Sequence, residues 1–263
     1  MAKVLAISSH VVRGHVGLDA TVPALQWLGH EVWALPTVLV ASRPGLGRPI
    51  RHELPAPELA RMLAALEADG CWPSVDAVLT GYFVSPNAVA AVAQAIGHIK
   101  VANPRVVVLV DPILGDGGKL YVAQATAEAI RDVLLPLATI ATPNLFELAW
   151  LTGAVPEDLD DAVGAAQTLS PPTVVITSAA ETHTAVTTLL VRGRDRIERH
   201  SRKWAGITNG AGDLFAGLLL GHLLNGRADA SALDASLADL DRVLAASTGH
   251  DVLQLAALNS ARP

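Results

Sequence analysis

Short unalternating apolar runs and longer stretches with three-to-four spacing take turns along this chain. Val4 to Ser8 is a run of the first kind, ending in small polar residues. Beyond Gly14 and Gly17, Leu18 to Leu28 is periodic and is closed by Gly29. Glu31 to Val40 has extended character, interrupted at Pro36. Pro57 to Ala68 places Leu59, Met62, Leu63 and Leu66 at helical spacing. A strand over Val75 to Leu79 and a helix over Asn87 to Ile99 follow. Val106 to Val110 is five apolar residues, four of them Val, which suits a strand covered on both faces of a parallel sheet. Helix is predicted over Ala123 to Leu135, a short strand over Thr139 to Ala141, and a short helix over Leu145 to Leu151, stopped at Gly153. Thr173 to Thr177 repeats the buried-strand pattern. Thr184 to Arg192 and Arg196 to His200 read as an antiparallel pair around Gly193. Helices over Asp213 to Asn225 and about Ser231 to Ser247 complete the series.

This alternation predicts an α/β fold, doubly wound, with a mostly parallel central sheet flanked by helices in three layers. No repeat or low-complexity linker divides the chain, so residues 1–263 read as a single domain. Gly45-Leu46-Gly47-Arg48-Pro49 is the one long irregular segment, either a cover over a site or a plain surface loop. Composition narrows the picture. With 51% apolar and 17% charged residues, the chain has enough apolar surface for a core and is not disordered. The apolar runs stop far short of the roughly 20 residues a membrane helix needs. Lys3-Val4-Leu5-Ala6-Ile7 lacks the layout of a secretory leader, and a cytoplasmic enzyme is expected. One cysteine, Cys71, excludes an internal disulfide framework and a Cys-based zinc site. A net charge of −6 without a Lys/Arg cluster argues against nucleic acid as a partner.

Ligands of open parallel sheets gather at the carboxyl ends of the strands. The segments expected there are Ser8-Ser9-His10, Thr80-Gly81-Tyr82, Asp111-Pro112, Thr142-Pro143-Asn144, Thr177-Ser178 and the loop before Asp213. That loop, Asn209-Gly210-Ala211-Gly212, opens a helix with Leu218, Leu219 and Leu223 on its apolar positions. Small residues there let backbone N–H groups approach an anion, and the helix dipole favours negative charge. A phosphate would sit against Gly210, Ala211 and Gly212, with Asp213 placed to take a proton from a hydroxyl attacking phosphorus. An ordinary glycine turn with an acidic helix start is the alternative. Likewise Asp111-Pro112 reads also as a strand terminus, Glu147 as a first-turn acid and Ser9 as a turn cap. Neither a Walker sequence nor a strand-following G-x-G-x-x-G is present, so another scaffold would hold the phosphate.

Together these segments resemble the pyridoxal kinases of the ribokinase superfamily, over nearly the full length. The resemblance is carried by Ser8-Ser9-His10-Val11-Val12-Arg13-Gly14-His15-Val16-Gly17, Thr80-Gly81-Tyr82, Asp111-Pro112-Ile113-Leu114-Gly115-Asp116, Thr142-Pro143-Asn144 with Glu147, and Gly210-Ala211-Gly212-Asp213, in the family's order. It implies a ribokinase-like fold and transfer of the ATP γ-phosphoryl group to the 5′-hydroxymethyl of pyridoxal. Under it Asp213 is the catalytic base and touches the acceptor, and Gly210, Ala211 and Gly212 stabilise the transferring group. Asp111 and Glu147 match carboxylates around Mg²⁺-ATP, directly or through water. Asp111 and Thr142 match a monovalent-cation site, for K⁺ for example. Asp116, Tyr121, Asn144, Thr177 and Ser178 match further nucleotide contacts. Ser9 and Tyr82 match residues that touch the pyridine. A homodimer is the family's common assembly.

The departures are specific. After the second strand the family places an aromatic residue, then Ser-Asn-His-Thr; here stand Val40, then Ala41-Ser42-Arg43-Pro44. Losing a ring-stacking partner forfeits roughly 0.5–1.5 kcal/mol beyond burial. Pro44 offers neither hydroxyl nor N–H. Ala211 stands where many members have Thr, and the stretch from Asp116 to Tyr121 is short. The phosphoryl-transfer half is therefore expected intact and the pyridine half altered. Two other readings follow: a kinase of pyridoxine or hydroxymethylpyrimidine, or a vitamin-binding protein without turnover. Asp213 argues against the second, since binding alone needs no base. Trp27, Trp33 and Trp150 are expected in the core, while Trp204 could border the nucleotide.

Overall fold

A computed structural model describes residues 1–46, 50–206 and 209–261. Its organising feature is a nine-stranded sheet. Strand β1 (Lys3–Arg13) leads into helix α1 (Leu18–Trp27), then β2 (Glu31–Ser42) and a short β3 (Arg51–Glu53). Helix α2 (Ala56–Ala68), β4 (Ala77–Thr80), α3 (Pro86–Ala102) and β5 (Val107–Val110) continue the alternation. A small hairpin of β6 (Gly115–Asp116) and β7 (Lys119–Leu120) precedes α4 (Gln124–Ala129). Next come β8 (Ile140–Ala141), α5 (Leu145–Thr152), α6 (Leu159–Gln167), β9 (Thr173–Glu181), β10 (Ala185–Arg192) and β11 (Asp195–Arg202). Helices α7 (Ala211–Leu224) and α8 (Asp229–Ser247) are followed by a 3₁₀ segment at Leu255–Ala261.

The strand order is β11-β10-β9-β8-β5-β4-β1-β2-β3, parallel from β9 to β2 and antiparallel at both edges. Val108, Leu109 and Val110 are buried, as the valine-rich run requires of a strand covered on both faces. Leu5, Ile7, Val78, Val108 and Val110 face α2, α3 and α4. Val4, Ala77, Leu79 and Leu109 face α1 and α7, while α5 and α6 cover the other end of the sheet with Val174 and Ile176. The result is the expected three layers. Among the described residues no helix is long and apolar enough to cross a membrane.

Several expectations are corrected. The stretch predicted as one helix from Ala123 to Leu135 is α-helical only to Ala129, then widens into a π turn (Ile130–Leu134) and tightens into 3₁₀ at Leu135–Leu137. Pro136 cannot donate the N–H an α-helix would need there. The strand predicted over Glu31 to Val40 runs on to Ser42, and β3 pairs back onto it, Val40 opposite Arg51. Of the irregular segment Gly45 to Pro49, residues Gly47, Arg48 and Pro49 lie outside the described residues. Trp204 has partners of its own: its Nε1 donates to Asp241 of α8 at 2.7 Å, and Arg202 stacks on its ring. The histidines are mostly structural or surface groups; His222 of α7 hydrogen-bonds Asp239 of α8 at 2.8 Å within the core.

Candidate active site

The carboxyl ends of β1, β4, β5 and β8 converge with the N-terminus of α7. Gly210 precedes that helix with φ 109°, a left-handed conformation open to glycine. A Cβ on it would lie 1.8 Å from the His15 carbonyl oxygen, so the segment after β1 is laid directly on this loop. The first turn of α7 leaves the N–H groups of Ala211 and Gly212 without helical acceptors; the Leu214 N–H donates to the Gly210 carbonyl at 2.9 Å. Asp213 follows at once. Its carboxylate is enclosed on most sides yet still reaches solvent. Burial raises its pKa to about 6, opposed by hydrogen bonds from the Gly17 N–H and its own N–H. A carboxylate so placed is ionised at neutral pH and is a better proton acceptor than a surface one.

Proline has a local use in the same segment. Pro23 within α1 has no N–H to give the Asp19 carbonyl one turn earlier. His15 Nδ1 fills that acceptor at 3.2 Å. The Asp19 carboxylate meanwhile accepts the Val11 N–H at 2.7 Å and lies 2.9 Å from His10 Nδ1. Residues 10 to 17 are thus fastened to α1 before they cross the loop that opens α7.

Across the cleft, Asp111 ends β5 and is buried; its Oδ1 accepts the Thr142 hydroxyl at 2.9 Å. Burial first, then the charges of Asp213 and Glu147, raise the Asp111 carboxyl well above its ordinary value, against the Thr142 hydrogen bond. Asn144 and Glu147 form a capping box at the start of α5: the Glu147 N–H donates to Asn144 Oδ1 at 2.8 Å, and the Asn144 N–H to Glu147 Oε2 at 2.9 Å. Glu147 also accepts the N–H groups of Leu114 (2.9 Å) and Gly115 (3.4 Å). Burial nevertheless raises its pKa to about 7 against those donors. Both Glu147 oxygens are therefore occupied by the backbone. The helix-cap reading of Glu147 is correct, and it coexists with a place beside Asp111.

Among the described residues no three His, Cys, Asp or Glu side chains gather closely enough to cage a metal ion. The donor set fits Mg²⁺ carried by phosphates and water, with Asp111 as the carboxylate whose second oxygen has no protein donor among the described residues. The mutual repulsion of Asp111, Glu147 and Asp213 is what a bound cation relieves.

Hydrogen bonds and charge link several of the residues that the resemblance assigns to the nucleotide. Asn144 Nδ2 donates to the Gly115 carbonyl at 2.9 Å, tying α5 to the β6–β7 hairpin that holds Asp116. Tyr121 is exposed but close enough to Asp116 and Glu147 for both charges to raise its hydroxyl, after burial. The Thr177 N–H donates to the Pro143 carbonyl at 2.9 Å. Ser178 has φ 52°, the one non-glycine residue with positive φ among the described residues. Such strain is most often kept at functional positions.

Of the residues that the resemblance assigns to the acceptor, Ser9 is buried in β1 just past a register shift, and pairs with Val38. Val40 is half-buried and pairs with Val11. The Tyr82 N–H donates to the Ser8 hydroxyl at 3.0 Å, and the Thr37 hydroxyl donates to the Tyr82 carbonyl at 2.7 Å. Burial pushes the Tyr82 hydroxyl up, with Arg51 pulling the other way. Sequence reasoning missed three groups: the Gly17 N–H on Asp213, Asn209 on the Pro44 carbonyl, and the buried Arg43. No local pattern marks them, because each acts on a segment far away in the chain.

A family model described as phosphomethylpyrimidine kinase matches residues 14–251. A pyridoxal kinase of Corynebacterium diphtheriae is 34% identical over 245 residues, covering 88% of this chain and 84% of the relative. A pyridoxine/pyridoxal/pyridoxamine kinase of Bordetella avium is 36% identical, covering 96% and 88%. The pyridoxal kinase of Leishmania donovani solved with ADP and pyridoxine superposes with a TM-score of 0.88 at 31% identity, covering 97% of this chain and 90% of the other.

Proposed function

The chain belongs to the phosphomethylpyrimidine kinase family, beside its pyridoxal kinases in the ribokinase superfamily, and from that premise we propose that it phosphorylates the 5′-hydroxymethyl group of pyridoxal with ATP. The observation that carries this reading is Asp213, a half-open carboxylate poised at about 6, one residue beyond two free helix N–H groups.

In this reading the acceptor lies against Ser9, Tyr82 and Val40, its hydroxymethyl toward Asp213. Asp213 takes the hydroxyl proton as the oxygen attacks the γ-phosphorus. The N–H groups of Ala211 and Gly212, with Gly210 letting the backbone approach, stabilise charge on the transferring oxygens. Asn144, Asp116, Tyr121, Thr177 and Ser178 hold the nucleotide. Asp111 and Glu147 would serve Mg²⁺, directly or through water, and Asp111 with Thr142 would take K⁺. Bound Mg²⁺ neutralises phosphate charge. The same reading makes residues 1–263 one kinase domain, acting in the cytoplasm as a homodimer, with ATP and a pyridoxal-like alcohol as partners and neither nucleic acid nor membrane.

The test is ADP release with Mg-ATP in the presence of pyridoxal, run beside pyridoxine and hydroxymethylpyrimidine. Turnover with pyridoxal is expected. Turnover with hydroxymethylpyrimidine alone would overturn the acceptor, and tight pyridoxal binding without product would overturn the kinase.

A further inference from the structure

Arg43 is only 9% exposed, and among the described residues no carboxylate lies within ion-pair distance of it. The Asp251 carboxylate instead approaches Arg13, at 3.8 Å. A buried guanidinium is costly unless its donors are well used, and here backbone carbonyls use them. Arg43 Nε donates to the Asp251 carbonyl at 2.8 Å, Nη2 donates to the same oxygen, and Nη1 donates to the Pro44 carbonyl at 2.8 Å. The Pro44 carbonyl also accepts Asn209 Nδ2 at 3.3 Å. The Arg43 N–H donates to the Arg13 carbonyl at 2.9 Å. Its stem lies on Gly14, where a Cβ would stand 2.9 Å from Arg43 Cβ and Cγ. Two residues beyond Asp251, Leu253 closes on Gly210, 3.3 Å from where a Cβ would sit.

One side chain therefore joins three backbone segments: the end of β2, the 249–253 turn after α8, and, through Pro44 and Asn209, the phosphate loop. Val40 lies on β2 three residues before Arg43, which follows directly on the end of that strand. We propose that Arg43 is a positioning residue for the acceptor alcohol, clamping the rim that follows β2 onto the 249–253 turn and the phosphate loop, so that the turn becomes part of the acceptor site. This inference rests on the kinase reading above. The clamp needs a planar fork, with Nε and Nη2 on one carbonyl and Nη1 turned to another. An ammonium group cannot reproduce that geometry.

The experiment compares wild type, Arg43→Ala and Arg43→Lys with whichever alcohol the wild type phosphorylates. Ligand-free amide exchange is measured alongside. Arg43→Ala is expected to raise KM for the alcohol about tenfold while KM for Mg-ATP stays within about twofold. Arg43→Lys is expected not to restore it. Exchange is expected to quicken over residues 41–46 and 250–254 and to stay unchanged in β5. An unchanged alcohol KM, or equal rises in both KM values with general loss of protection, would overturn the proposal. Should the wild type phosphorylate none of the alcohols, the kinase reading fails, and unchanged exchange in the two segments would then sink the clamp separately.

Discussion

The Asp213 carboxylate sits between opposed influences. Burial lifts its pKa to about 6, and the Gly17 N–H and its own N–H keep it from rising further. If Asp213 is the base, activity needs the ionised form. The sign then follows: kcat/KM falls as pH drops through about 6 and levels off above it. Asp213→Asn keeps the shape and removes the proton acceptor, so turnover is expected to fall by about 10²–10⁴ while the ATP dissociation constant is retained. Pre-steady-state kinetics and nucleotide titration check this, and equal loss of binding and rate would make Asp213 structural. The residue type of the proposed base and the small residues before it were legible in the sequence. The Gly17 donor was not, because hydrogen bonding between distant segments leaves no periodic trace.

Helix α7 has two glycines at its start with opposite surroundings. Gly210 is left-handed and pressed on His15, whereas a Cβ on Gly212 would meet no atom within 4 Å. Gly210→Ala is therefore expected to cost at least about 1 kcal/mol, roughly 2–4 °C in Tm for a chain of this size, and to disturb activity. Gly212→Ala is expected to leave Tm unchanged and raise KM for ATP, because its methyl enters the space proposed for the phosphate. Thermal melts beside steady-state kinetics distinguish the two; equal Tm losses would contradict the packing. Elements with strong periodicity or valine runs, such as α1, α3 and β5, were legible within a few residues of their ends. Helix α6 (Leu159–Gln167), strand β3 and the β6–β7 hairpin were not. Helix α6 buries only small alanines such as Ala162, Ala165 and Ala166, which give a faint pattern, and the two-residue strands exist only through their partners.

The whole molecule encloses acids whose burial is the first cause that raises them. Glu147 and Asp213 are raised to about 7 and about 6 when folded, above their values in the unfolded chain, so the folded state binds protons more readily there. Ligand-free stability is expected to rise as pH falls from 8 towards 6, the gain being lost again as pH rises through those values. Mg-ADP at about a hundred times its dissociation constant is expected to add about 2.7 kcal/mol, and chelating the metal to shrink that gain. Melts across pH, with and without Mg²⁺ and nucleotide, test both, and a nucleotide shift indifferent to Mg²⁺ would remove Asp111 and Glu147 from the metal's surroundings. By itself the sequence determined the alternation of elements, the α/β layering and the small-residue turn that opens α7, because backbone periodicity and small-residue turns are written locally. Only the tertiary structure decided that the Gly17 N–H meets Asp213, that Glu147 is both cap and neighbour of Asp111, and that Arg43 holds the far end of the chain. Those facts depend on strand order and register, which set distances between residues that no short stretch of sequence encodes.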